Sequence, residues 1–130
     1  MSSPNSASPS TTILWTGRLL SWLPMLLFGF SAFSKLAHPP QLDEGFAHLG
    51  IPLTQAFGLG VLELSCAVIY LVPRTSVLGA ILLTGYLGGA IQTHLRVGDP
   101  WVVQAILGVV VWAGLTLREP KLRALIPLKS

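Results

Sequence analysis

Residues 57–72 read FGLGVLELSCAVIYLV, and one charged residue, Glu63, stands among apolar and small neighbours. A run this long and this apolar is either a helix buried on all sides in a large core or a membrane span. Composition decides between them. Hydrophobic residues make up 52% of the 130-residue chain and charged residues only 10%, against roughly 25% charged in soluble domains. Mean hydropathy is +0.68. So few charges cannot cover a water-facing surface, and lipid is expected to cover most of it.

Three further apolar segments accompany the first: residues 13–35, 76–96 and 101–117, with the Glu63 segment taken as 55–72. Each is close to the ~20 residues that cross a hydrocarbon core of ~30 Å. The expected fold is all-α, an antiparallel bundle of four transmembrane helices in one domain over residues 13–130, after a Ser/Pro-rich, disordered tail over 1–12. That tail lacks the basic start of a signal peptide. Thr54 is placed to cap the second helix, Thr75 or Ser76 the third, and Asp99-Pro100 the fourth. Pro24 is expected to kink the first. Between the first two spans, Leu42, Phe46 and Leu49 recur at helical spacing before Gly50 and Pro52. This reads as a short amphipathic helix on the membrane surface or as an irregular loop.

Four spans put both termini on one side. That side collects Arg18, Arg74, Arg118, Lys121, Arg123 and Lys129, while the other holds only Lys35 and Arg96. The bias of basic residues toward the cytoplasm places both termini there. The same scatter excludes nucleic acid as a partner, since the net charge of +3 is not concentrated on one face. Trp15, Trp22, Trp101 and Trp112 are expected near span ends as interfacial anchors.

Glu63 lies eight residues past Gln55, about 12 Å along a helix and so near the bilayer midplane. A lone charge there is costly, so Glu63 must face the bundle interior, pair, or stay protonated. Its stripe is Ala56, Gly60, Glu63, Ala67 and Tyr70. Antiparallel pairing brings Tyr86 to the same depth. Lys35 ends the first span on the non-cytoplasmic side, near Gln92 and His94. Glu63, Lys35, Tyr86, Gln92 and His94 are therefore the candidate polar pocket. Three roles stay open for it: fixing helix register, binding a small lipophilic molecule, or passing protons. Gly60 on the second span and Gly85, Gly88 and Gly89 on the third are expected to be close-packing positions. Arg18 shares a stripe with Ser21, Met25, Phe28, Ala32 and Lys35, and is expected to orient the first helix by reaching cytoplasmic headgroups, capture of an anionic group being the alternative.

Cys66 is the single cysteine, which excludes an intrachain disulfide and a CxxC redox motif. His38, His48 and His94 match no zinc spacing, so no metal is expected. No Ser-His-Asp, HExxH or Walker-type element is present.

The phrases LLFGFSAFSKLAHP, GLGVLELSCAVIYLVPRTSVLGAILLTGYLGGAIQTHLRVGDP and WAGLTLREPKLRALI, in this order and spacing, resemble the DoxX-like family of small four-helix bacterial membrane proteins. The resemblance covers nearly everything after Thr12. It implies a multi-pass protein of the bacterial inner membrane. The family takes its name from a membrane component linked to thiosulfate:quinone oxidoreductase, so a redox-associated setting is implied as well. Three functions are expected, in this order. The first is an accessory subunit of a larger redox or respiratory-type membrane complex, with homo-oligomers allowed. The second is a protein that binds or moves a small lipophilic molecule, a quinone being the one cofactor considered. The third is a stand-alone enzyme, for which no autonomous catalytic motif is found.

Overall fold

The computed structural model describes residues 10–126. Among them the chain is helical throughout, without strands. Helix α1 runs Thr11–Ala37, α2 Pro40–Leu49, α3 Ala56–Leu71, α4 Ser76–Arg96, α5 Val102–Arg118 and α6 Pro120–Arg123. Three helical stretches, Thr11–Ala37, Leu53–Leu71 and Pro73–Arg96, are long and apolar enough to cross a membrane; Val102–Arg118 is apolar but shorter, at 17 residues.

The four long helices close into a ring. Helix α1 packs on α3 and α5, and α4 packs on α3 and α5. The buried face of α3 is Ala56, Gly60, Glu63, Cys66, Ala67 and Tyr70. That is the stripe read from the sequence with Cys66 added, and it follows from 3.6 residues per turn. Helix α1 buries Gly17, Ser21, Pro24, Met25, Phe28 and Ala32. The apolar residues on the opposite faces lie open: Leu26, Phe30 and Phe33 on α1 are 71%, 75% and 68% exposed. In water these faces would be an aggregation surface; in lipid they are the outer wall.

Tyr70 holds one end of the ring together. It is fully buried, its hydroxyl donates to the Val111 carbonyl at 2.7 Å and reaches Ser21 Oγ at 3.0 Å, and the Arg118 guanidinium lies over its ring. Three helices meet there through one side chain. Two close backbone approaches flank it. A Cβ at Gly114 would come within 2.7 Å of Ser21 Oγ and 2.9 Å of Ser21 N, and a Cβ at Gly79 would collide with the Tyr70 backbone. These contacts also gather the basic residues. Arg118 sits against Gly17 on α1 and against Tyr70 on α3, so Arg18, Arg74, Arg118, Lys121 and Arg123 share one end of the bundle. Arg18 is stacked over Trp15, 5.1 Å from the ring centre.

Several expectations change. Helix α1 begins at Thr11, because the Ser10 hydroxyl caps it by accepting from Ile13 N at 3.2 Å; the rest of the expected tail, residues 1–9, lies outside the described residues, as does Lys129. The region between the first two spans is a helix, α2, ended by Gly50 in the left-handed conformation at φ 72°. Thr54 lies within a 3-10 turn and caps nothing. Thr75 ties backward, donating to the Ile69 carbonyl at 2.8 Å. Trp112 is not at a span end but donates to Thr84 Oγ1 on α4 at 2.7 Å. Pro24, the expected kink position, lies buried inside α1.

The glycine assignment is corrected most. Gly60 does pack closely, 3.1 Å from the Ala32 carbonyl and from Leu36 for an added Cβ, but Gly85, Gly88 and Gly89 meet nothing within 4 Å. A run of small residues permits close approach without dictating which helix comes near. Here α3 and α5 meet α4 on the face of Gly79, Ala80, Leu83 and Leu87, which is rotated around the helix from Gly85, Gly88 and Gly89.

Candidate functional site

Glu63 is the centre of a buried hydrogen-bond cluster between α1, α3 and α4. Its Oε2 accepts from Lys35 Nζ at 2.8 Å, from Tyr86 OH at 3.0 Å and from Ser31 Oγ at 3.1 Å. Lys35 Nζ also donates to Ser31 Oγ at 2.6 Å. Residues 31 and 35 are one turn apart on α1, so both face α3. Glu63 is 2% exposed and the Lys35 side chain 15%. Lys35 therefore turns its ammonium inward, against the usual habit of reaching for the membrane surface. Tyr86 is steadied by Phe28, whose ring meets it edge-to-face at 6.4 Å.

The cluster opens into a cavity of about 570 Å³, within the range of small-molecule sites. Its walls are apolar: Leu27, Phe28, Leu59, Leu62, Leu87 and Leu107. Its polar groups are Ser31, Lys35, Glu63, Tyr86, Thr93, His94, Gln55 and Gln104. Gly85 and Gly89 also line it. Their missing side chains are thus cavity space and not helix contact.

Gln92 is not part of this site. It is exposed, because six residues past Tyr86 turn an α-helix by about 240° net. His94 lines the cavity but does not touch Glu63. Its Nδ1 meets the Ala90 carbonyl at 2.7 Å and its Nε2 meets Gln104 Nε2 at 3.3 Å. Four polar residues of the site, Ser31, Gln55, Thr93 and Gln104, were missed in the sequence. Ser31 carried a signal, one turn before Lys35 on the same face. Gln104 carried none, since α5 faces the cavity only through tertiary packing.

Helix α2 covers the cavity from its open end, with Phe46 and Leu49 in its lining. Phe46 is buried at 6%. His48 Nε2 pairs with Asp99 at 2.8 Å and Arg96 donates to the Leu49 carbonyl. This explains why Asp99 does not cap α5, which starts from Trp101 instead: the carboxylate is held by α2. Near its start, Asp43 pairs with His38 at 3.0 Å. Asp99→Ala is expected to speed amide exchange across residues 40–49 about tenfold, the loss of one charge-assisted bond, while α3 and α4 keep their protection. Exchange followed by mass spectrometry reads both.

Each of the three histidines has a partner of its own, and no group of three or more His, Cys, Asp or Glu side chains gathers to hold a metal among the described residues. Cys66 is buried beside Glu63 on α3 as a small core residue.

A family model described as the DoxX-like family matches residues 19–117, which include every residue of the Glu63 cluster. No curated protein and no solved structure matches the chain.

Proposed function

This chain belongs to the DoxX-like family and is a membrane protein, and on that footing we propose that it binds a small amphiphilic molecule in the Glu63 cavity. The observation that carries this reading is a buried, ion-paired carboxylate in the wall of a largely apolar cavity of about 570 Å³. A pair that only fixed helix register would be better enclosed by packing. Here three helices converge on one carboxylate oxygen and leave space beside it. The apolar walls suit a hydrocarbon body and the Glu63–Lys35–Ser31–Tyr86 group suits its polar head.

The chain crosses the membrane four times in this reading, α5 included, with α2 lying on the non-cytoplasmic surface as a cover. The end bearing Arg18, Arg74 and Arg118 then faces the cytoplasm, as the basic bias requires. In a bacterial inner membrane, a reporter that works only in the cytoplasm should be active when fused at the C-terminus, and one that works only in the periplasm should be silent.

Native mass spectrometry of the protein released from its own membranes tests the binding. One small molecule per chain is expected. It should be absent from Gly85→Trp, whose side chain occupies the cavity without meeting a neighbour at Cβ. Equal spectra for the two proteins, with nothing bound to either, would contradict the reading.

A second reading, an accessory subunit of a larger redox assembly, is favoured by the shallow groove between α4 and α5. It is lined almost wholly by apolar and small residues, among them Gly88, Ala105 and Gly108. Such a face accepts a neighbouring helix. A larger partner co-purifying after mild solubilisation would support it.

A further inference from the structure

The chemistry of the head group can be read from the acceptors left over, given the amphiphile reading above, on which this inference rests. Hydrogen bonding at Glu63 is one-sided. Lys35, Ser31 and Tyr86 all donate to Oε2, and Oε1 accepts from none of the described residues. Glu63 is 2% exposed, yet Oε1 is not sealed off by protein, so a donor entering the cavity can reach it. A second acceptor belongs to another residue of the lining, Gln104. The Ala90 carbonyl can only accept, so His94 Nδ1–H donates to it. In the neutral ring Nε2 is then an acceptor, and the Gln104 amide turns its N–H toward it. That orientation leaves Gln104 Oε1 buried with no donor. Glu63 Oε1 thus faces the cavity without a donor, and Gln104, another residue of its lining, holds a second oxygen without one.

Donors are scarcer. Of the three N–H groups of the Lys35 ammonium, two are given to Ser31 and Glu63, and one is left. The Tyr86 and Ser31 hydroxyls are spent on Glu63. Lys35 also cancels the charge of Glu63, so a charged head would enter as an unpaired charge inside the membrane.

We propose that the cavity selects an amphiphile whose head is a neutral hydroxyl, an alcohol or phenol. Its O–H donates to Glu63 Oε1 and its oxygen accepts the remaining Lys35 N–H. Ketones, ethers and esters satisfy the Lys35 N–H but set acceptor against acceptor at Glu63. Cationic amines satisfy Glu63 and leave their charge uncompensated.

The test titrates the full-length detergent-solubilised chain with 4-heptylphenol and with its methyl ether, and counts bound probe by native mass spectrometry. The two differ by the hydroxyl proton and one methyl group. The phenol should bind about tenfold or more tighter, the usual penalty for a buried polar group left without its partner. In the Lys35→Met/Glu63→Leu double variant the two probes should bind alike, since the polar anchor is gone while the walls remain. Equal or tighter binding of the ether by the unmodified chain overturns the hydroxyl selection and leaves the amphiphile reading standing. Failure of both probes to bind overturns both.

Discussion

Lys35→Met is expected to lower the stability of the bundle by about 3–5 kcal/mol, the cost of stripping a buried charge of its partner. The reason is the convergence on Glu63. Lys35 gives the shortest of its three hydrogen bonds, at 2.8 Å, and also holds Ser31 Oγ. Without the ammonium, a carboxylate 2% exposed keeps only two neutral donors. Glu63→Leu alone strands Lys35 in turn, though less severely, because its stem can turn outward toward the surface. The double variant Lys35→Met/Glu63→Leu should recover to within about 1 kcal/mol of the starting protein, since well-packed apolar side chains replace buried ion pairs at little cost. Denaturant unfolding of the four proteins in one detergent gives the coupling. A Lys35→Met variant as stable as its parent would show that Glu63 does not depend on Lys35 as its partner.

Gly114→Ala should destabilise by about 1–3 kcal/mol, the range for overpacking a tight contact. Its added methyl would meet Ser21 Oγ at 2.7 Å, Ser21 N at 2.9 Å and the Gly17 carbonyl at 3.0 Å. Two of those three atoms are backbone, so α1 and α5 must move apart. The Tyr70 hydroxyl, which bridges Ser21 and Val111 across the same gap, would lose its geometry with them. Gly89→Ala is the control. Nothing lies within 4 Å of that position, and alanine favours a helix by roughly 0.5–1 kcal/mol over glycine. Its melting temperature should hold or rise while that of Gly114→Ala falls. The same order of effects for both would contradict the contrast between packed and open glycines.

These cases show where the sequence was legible. Helical periodicity is a property of neighbouring residues, so the stripe through Ala56, Gly60, Glu63, Ala67 and Tyr70 could be read directly, as could that through Ser21, Met25, Phe28 and Ala32. Depth could be counted along a span, which brought Lys35 and Tyr86 to Glu63. Rotation was harder. Gln92 was placed by depth alone and faces the wrong way. Choice of partner was hardest. The contact of Gly114 with Gly17 depends on α1 lying beside α5, and no local pattern states that. Asp99 carried a cap signal that a tertiary partner, His48 on α2, took over. Gln104 is in the site for the same kind of reason, and its orientation is set by a histidine on another helix.

The most direct test of the central claim is an experimental structure of the full chain in a lipid nanodisc prepared from its own membranes. The account predicts non-protein density in the cavity bounded by α1, α3, α4 and α5, with a polar atom within hydrogen-bond distance of Glu63 Oε1 and an apolar body against Leu62, Leu87 and Leu107. A Glu63 whose two oxygens are both satisfied by protein side chains, in a cavity closed by repacking of those leucines, would contradict it.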